Sequence, residues 1–133
     1  MAKIAICEDS TFDIVNKYGF LGRSAHDVHI YWYDARILDP MKGALYSQGF
    51  KDDNMHDGVF SAEMFSEISS ADLIFMDGLK GNCFEIIDGI PKSERYKIFV
   101  VTGSEEIRIE ALIRSIQVER KLPQYLEKIV RTL

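Results

Sequence analysis

Four short apolar runs, KIAIC (residues 3–7), VHIYWY (28–33), DLIFM (72–76) and KIFVV (97–101), are rich in β-branched or aromatic residues. Each is followed by a turn signal and then a helical pattern. That alternation constrains the chain more than any other feature. Strand and helix in turn imply right-handed crossovers, and hence a mostly parallel sheet with helices on both faces. Near-continuous apolar strands fit burial on both sides. The second run differs, because Val28, Ile30 and Trp32 alternate with His29, Tyr31 and Tyr33. It reads as an edge strand whose polar-tipped side chains face water. A fifth strand is expected in the short IQV segment, 116–118.

The helical patterns carry their own punctuation. Ser10 is placed to cap a first helix in which Phe12, Ile14 and Val15 face inward, and Gly22 stands where a C-terminal cap belongs. Helical spacing recurs in Met64, Phe65 and Ile68, and again in Phe84, Ile87 and Ile90, where Pro91 closes the element. Ser104 followed by Glu105 and Glu106 is a capped, dipole-matched start. Ile109, Leu112, Ile113 and Ile116 follow it at helical spacing, as do Leu126, Ile129, Val130 and Leu133 in a last helix. Asp39, Pro40 and Gly49 bracket an additional short helix, and FKDDNMHDG (50–58) reads as an exposed acidic loop. That loop has a superficial calcium-loop look. Aligned on Gly58, however, it puts Met55 at a ligand position and Met64 where the closing acid belongs.

The 133 residues, 47% of them apolar, suit one compact domain spanning 1–133. No apolar run approaches the ~20 residues that span a bilayer, and no signal-peptide pattern precedes the first strand, so a cytoplasmic protein off the membrane is expected. Cys7 and Cys83 suggest buried thiols in a reducing compartment. A net charge of −5 argues against nucleic-acid binding. The basic residues between Arg108 and Arg131 are nearly balanced by Glu105, Glu106, Glu110, Glu119 and Glu127. His26, His29 and His56 are scattered and read as surface or edge residues rather than ligands.

The stretch ADLIFMDGLKG (71–81) ends its buried strand abruptly on Asp77 and a Gly-rich turn. In open parallel sheets ligands bind beyond the carboxyl ends of the strands, where strand order reverses. Glu8 and Asp9 end the first strand, Asp77 the third and Thr102 the fourth. If the first and third strands are neighbours, the three acids share a pocket. Two carboxylates ~4 Å apart repel by roughly 4 kcal/mol at an effective dielectric near 20. A bound proton or a cation must relieve that. Oxygen donors with room for water suit Mg²⁺ rather than zinc, and Thr102 and Lys121 would complete a phosphoryl site.

These features together resemble the receiver domains of two-component response regulators: the acidic pair in CEDS (7–10), Asp77 in DLIFMDG, the Thr of FVVTGS (99–104), and the Lys of RKLPQYL (120–126). The resemblance covers nearly the whole chain. It implies a doubly wound, five-stranded, mostly parallel α/β sheet, flavodoxin/CheY-like in the order 2-1-3-4-5, with the segment at about 39–58 inserted between strands 2 and 3. It further implies that Asp77 accepts a phosphoryl group from a histidine kinase or phosphotransfer protein. Mg²⁺ would be held by Glu8, Asp9 and Asp77, with the Leu79 carbonyl as a backbone ligand. Lys121 would pair with the phosphoryl oxygens, and Thr102 would donate its hydroxyl to them.

Three departures are visible in the sequence. Leu122 separates Lys121 from Pro123, where the family has Lys directly before Pro. Val118 stands where the family often has an aromatic switch residue. The stretch from Asp9 to Asp77 is long by about one short helix and a loop. Two functions follow as expectations. The first is a stand-alone phosphorelay receiver that signals through a downstream protein partner or a homodimer, with at most self-phosphorylation and self-dephosphorylation as catalysis. The second is a receiver-like interaction module that works without phosphorylation. A Mg²⁺-dependent hydrolase fits less well, since no general base is evident beyond the same acids.

Overall fold

A computed structural model describes residues 1–33, 42–56 and 61–133. Its strands are β1 (Lys3–Glu8), β2 (Asp27–Trp32), β3 (Met55–His56), β4 (Leu73–Asp77), β5 (Ile98–Val101) and β6 (Gln117–Glu119). Its helices are α1 (Thr11–Lys17), α2 (Lys42–Ser47), α3 (Ala62–Ser69), α4 (Cys83–Asp88), α5 (Glu105–Ile113) and α6 (Pro123–Val130). The strands form one parallel sheet in the order β3-β2-β1-β4-β5-β6. Without β3 this is the 2-1-3-4-5 order of the doubly wound, flavodoxin/CheY-like fold. The sheet has six strands rather than five, and the additional one extends the β2 edge.

The period of two along β1 divides the core into two layers. Ile4 and Ile6 point to one face, with Ile14 of α1, Leu45 of α2 and Leu126 and Ile129 of α6. Ala5 and Cys7 point to the other, with Ile68 of α3, Ile86 and Ile87 of α4 and Ala111 of α5. Both faces are dry, which explains why β1 and β4 are apolar at almost every position. Each fully buried Ile or Leu contributes about 1.5–3 kcal/mol relative to an exposed one. Among the described residues no helix is long and apolar enough to cross a membrane.

Four local expectations differ from the structure. Tyr31 is fully buried, not water-facing. Its hydroxyl donates to Glu67 of α3 at 3.2 Å and its ring stacks on His56, so β3 and α3 together cover the expected edge. Phe12 is exposed, and Ile14 is the one apolar residue of α1 that is fully buried, alongside Thr11. In α5 the face turned to the sheet is marked by Ile107 and Ala111, four residues apart, while Ile109, Leu112 and Ile113 face outward.

The fourth difference lies in the inserted segment. Residues 39–41 and 57–58 fall outside the described residues, but α2 occupies the expected helix and the acidic loop is replaced by a 3-10 turn (Asp52–Asn54) leading into β3. The segment is packed down. Leu45 and Phe50 are buried, Gln48 Nε2 donates to the Val15 carbonyl at 3.0 Å, and a Cβ on Gly22 would lie 2.3 Å from the Gln48 carbonyl oxygen.

Candidate functional site

Because β1 pairs in parallel with β4, Cys7 opposite Met76, the next residues along, Glu8 and Asp77, emerge side by side at the carboxyl end of the sheet. Glu8, Asp9 and Asp77 each offer an oxygen, and all three lie within 4.8 Å of one another. The backbone fixes both strand-end acids. Glu8 Oε1 accepts the N–H groups of Asp9 and Ser10 at 3.1 and 3.2 Å. Asp77 Oδ2 accepts the Leu79 N–H at 2.8 Å. Ser10 caps α1 as expected, its Oγ accepting the Asp13 N–H at 3.2 Å, so α1 starts immediately beside the pocket.

Lys121 reaches this cluster from the β6–α6 turn. Its Nζ lies 2.9 Å from Glu8 Oε2 and 3.2 Å from Asp13 Oδ2, and it donates to Asp77 Oδ1. The residue between Lys121 and Pro123 is accommodated locally: Leu122 N–H donates to the Arg120 carbonyl at 2.9 Å, a three-residue turn with Lys121 at its centre. Leu122 is extended, as a residue before proline must be, and Pro123 occupies the first turn of α6. Asp13 is a pocket acid that sequence reasoning missed. Its signal was present, since it sits three residues after the cap of a helix that begins at the strand end.

Thr102 lies just after β5, beside the turn that follows Asp77. Its N–H donates to the Glu119 carbonyl at 3.2 Å, and a Cβ on Gly78 would come within 3.4 Å of its Oγ1. That oxygen accepts the Ser104 N–H at 3.0 Å. An open groove lined by Thr102, Ser104, Arg108, Arg120 and Lys121 leads outward. Val118 lies on β6 opposite Val100 and packs into the core, so no aromatic side chain occupies that position.

The Leu79 carbonyl accepts the Asn82 N–H at 3.0 Å within a 3-10 turn. Leu79 and Lys80 are both in the left-handed region, at φ 49° and 56°. For non-glycine residues this costs roughly 1–2 kcal/mol each. Leu79 is held there by its buried side chain, and the result is a backbone N–H aimed at Asp77. Strain of this kind collects where a loop must present a functional group.

The electrostatics follow from crowding in a dry place. Burial, then the charge of Asp77, pushes Glu8 up to about 8, against the opposing pull of Lys121. Burial works against the Lys121 ammonium, but Glu8 and Asp77 outweigh it and its pKa is raised. Burial and then Asp77 also push the Cys83 thiol up to about 12. Thus both forms of relief are present, a proton favoured on Glu8 and an ammonium shared among the carboxylates. Three carboxylates, Glu8, Asp13 and Asp77, share Lys121, and Asp9 adds a fourth acid beside Glu8 and Asp77.

Fold and site define a doubly wound parallel α/β protein with a lysine-bridged carboxylate pocket at the switch point of its sheet. Comparison with family models, curated proteins and solved structures returns no match.

Proposed function

We propose that the chain is a receiver-like phosphoacceptor of the cytoplasm, taking a phosphoryl group on Asp77 from a histidine kinase or phosphotransfer protein and signalling through altered protein contacts. The observation that carries this reading is the contact of Lys121 with Asp77 and Glu8 despite the interposed Leu122. Residues from β1, β4 and the β6–α6 turn meet in one pocket, and Thr102 stands at its rim.

The donor set fits Mg²⁺. It consists of carboxylate oxygens, and Glu8 Oε2, buried, faces Lys121 without an aligned hydrogen bond. Octahedral ligands at ~2.1 Å from Mg²⁺ lie about 3–4 Å apart, and the oxygens of the three acids all lie within 4.8 Å of one another. Glu8, Asp9 and Asp77 would hold the ion, and the Leu79 carbonyl would join them only by sharing its oxygen with Asn82. A bound divalent ion would neutralise charge on the transferring phosphoryl oxygens.

The protein's own groups do the rest. The Asp77 carboxylate attacks phosphorus, an O–P bond forming as the P–N bond to the donor imidazole breaks; the electron pair leaves with that nitrogen, which is protonated. Lys121, already on Asp77, transfers its hydrogen bonds to the phosphoryl oxygens. The Thr102 hydroxyl keeps its hydrogen for the same group while accepting from Ser104, so occupancy of the site pulls on the start of α5.

A second reading is favoured by the same contact. Lys121 already neutralises Asp77, as it would in a receiver-like interaction module that is never phosphorylated. Incubating the purified chain with Mg²⁺ and a small acyl phosphate, then weighing wild type and Asp77→Asn, separates the two. A phosphoryl-sized mass gain in wild type alone supports the phosphoacceptor; no gain in either, with no measurable Mg²⁺ affinity, supports the module.

A further inference from the structure

At the β3 edge of the sheet, β2, β3 and α3 bring together His29, His56 and Glu67, whose donor atoms all lie within 4.8 Å of one another. His29 Nδ1 and His56 Nε2 are 3.0 Å apart, and His56 Nε2 is 3.5 Å from Glu67 Oε1. Tetrahedral ligands at ~2.0–2.2 Å from a Zn²⁺ ion lie ~3.3 Å apart. The two observed separations bracket that edge. We propose that His29, His56 and Glu67 form a second metal site, taking Zn²⁺ or a similar divalent transition ion with a fourth position open to water.

The surrounding hydrogen bonds are those a metal-binding histidine needs. His29 Nε2 lies 3.1 Å from Asp27 Oδ2. A carboxylate oxygen accepts in such a contact, so the ring nitrogen is the donor. Nε2 therefore carries the hydrogen, and Nδ1 presents its lone pair inward. A carboxylate that orients a histidine in this way is the usual outer partner of a metal ligand. Asp27 is itself anchored, its Oδ1 accepting Asn54 Nδ2 at 3.0 Å. Glu67 is held by the Tyr31 hydroxyl at 3.2 Å.

Without metal, His56 Nε2 donates its hydrogen to His29 Nδ1. Binding replaces that hydrogen bond with two coordinate bonds, and His56 moves its proton to Nδ1, so the neutral imidazole neither gains nor loses charge. The donor set of two imidazoles and one carboxylate favours borderline ions over Mg²⁺, which distinguishes this site from the acid pocket. Occupancy would tie the two-residue β3 to β2 and α3.

The test uses untagged, metal-stripped full-length protein carrying Asp77→Asn, which cripples the acid pocket. Co²⁺ titration followed by visible absorption, with Zn²⁺ competition, should show one four-coordinate ion per chain. His29→Ala or His56→Ala should abolish it, and Asp27→Asn should weaken it about 10- to 100-fold. Should a histidine variant misfold, NMR of the Asp77→Asn protein decides: Zn²⁺ should shift the imidazole signals of His29 and His56 and leave His26 in place. Absence of binding, binding unchanged by His29→Ala, or imidazole signals indifferent to Zn²⁺ would overturn the proposal.

Discussion

Glu8, buried at the end of β1, and Lys121, in the turn before α6, face each other at 2.9 Å, so the two ends of the fold close on one ion pair. Removing the ammonium leaves buried carboxylates uncompensated. Lys121→Met should therefore cost about 3 kcal/mol at pH 8 by urea denaturation in chelator. At pH 5, where Glu8 takes up its proton, the loss should shrink. An equal loss at both values would mean that Glu8 is not the carboxylate whose charge the lysine compensates.

Metal-free stability should fall with rising pH. The folded state holds the Glu8 proton more tightly than the unfolded state, its pKa raised from 4.5 to about 8. That contribution is complete below pH 4.5 and is lost as pH climbs through 8. The slope attributable to this one proton is at most about 1.4 kcal/mol per pH unit. Glu8→Gln should flatten the profile across that window, as read by chemical denaturation at a series of pH values.

Gly22 and Gly49 pin the inserted segment. A Cβ on Gly22 would meet the Gln48 backbone at 2.3 Å, and Gly49 has φ 101°. Gly22→Ala should destabilise by about 1–3 kcal/mol, because backbone rather than a movable side chain must give way. Gly43→Ala, with open space around the added methyl, should not. Hydrogen exchange should show the Gly22→Ala protein losing protection first in residues 42–50.

What the sequence disclosed follows from which signals are local. The strand–helix alternation and the acids at strand ends were readable because each depends on a short run of residues, and parallel pairing of β1 with β4 then brought Glu8 and Asp77 together. β3 was not readable, since two residues have no period. Tyr31 was read as exposed because nothing in its own strand reveals that Glu67, thirty-six positions away, would receive its hydroxyl. His29 and His56 were read as scattered edge residues for the same reason, as the strand joining them was itself invisible. The helical spacing in α5 did not disclose that Ile107 and Ala111, not Ile109, Leu112 and Ile113, face the sheet. Lys121 was ambiguous by one position, and only the turn at Arg120–Leu122 resolves it.

The most direct test is a crystal structure of the protein with Mg²⁺ and beryllofluoride. The account predicts a metal among Glu8, Asp9 and Asp77, the fluoride adduct on the Asp77 carboxylate, and Lys121 moved from that carboxylate onto the adduct. A bare Asp77 still paired with Lys121, with no metal between the acids at saturating Mg²⁺, would contradict it.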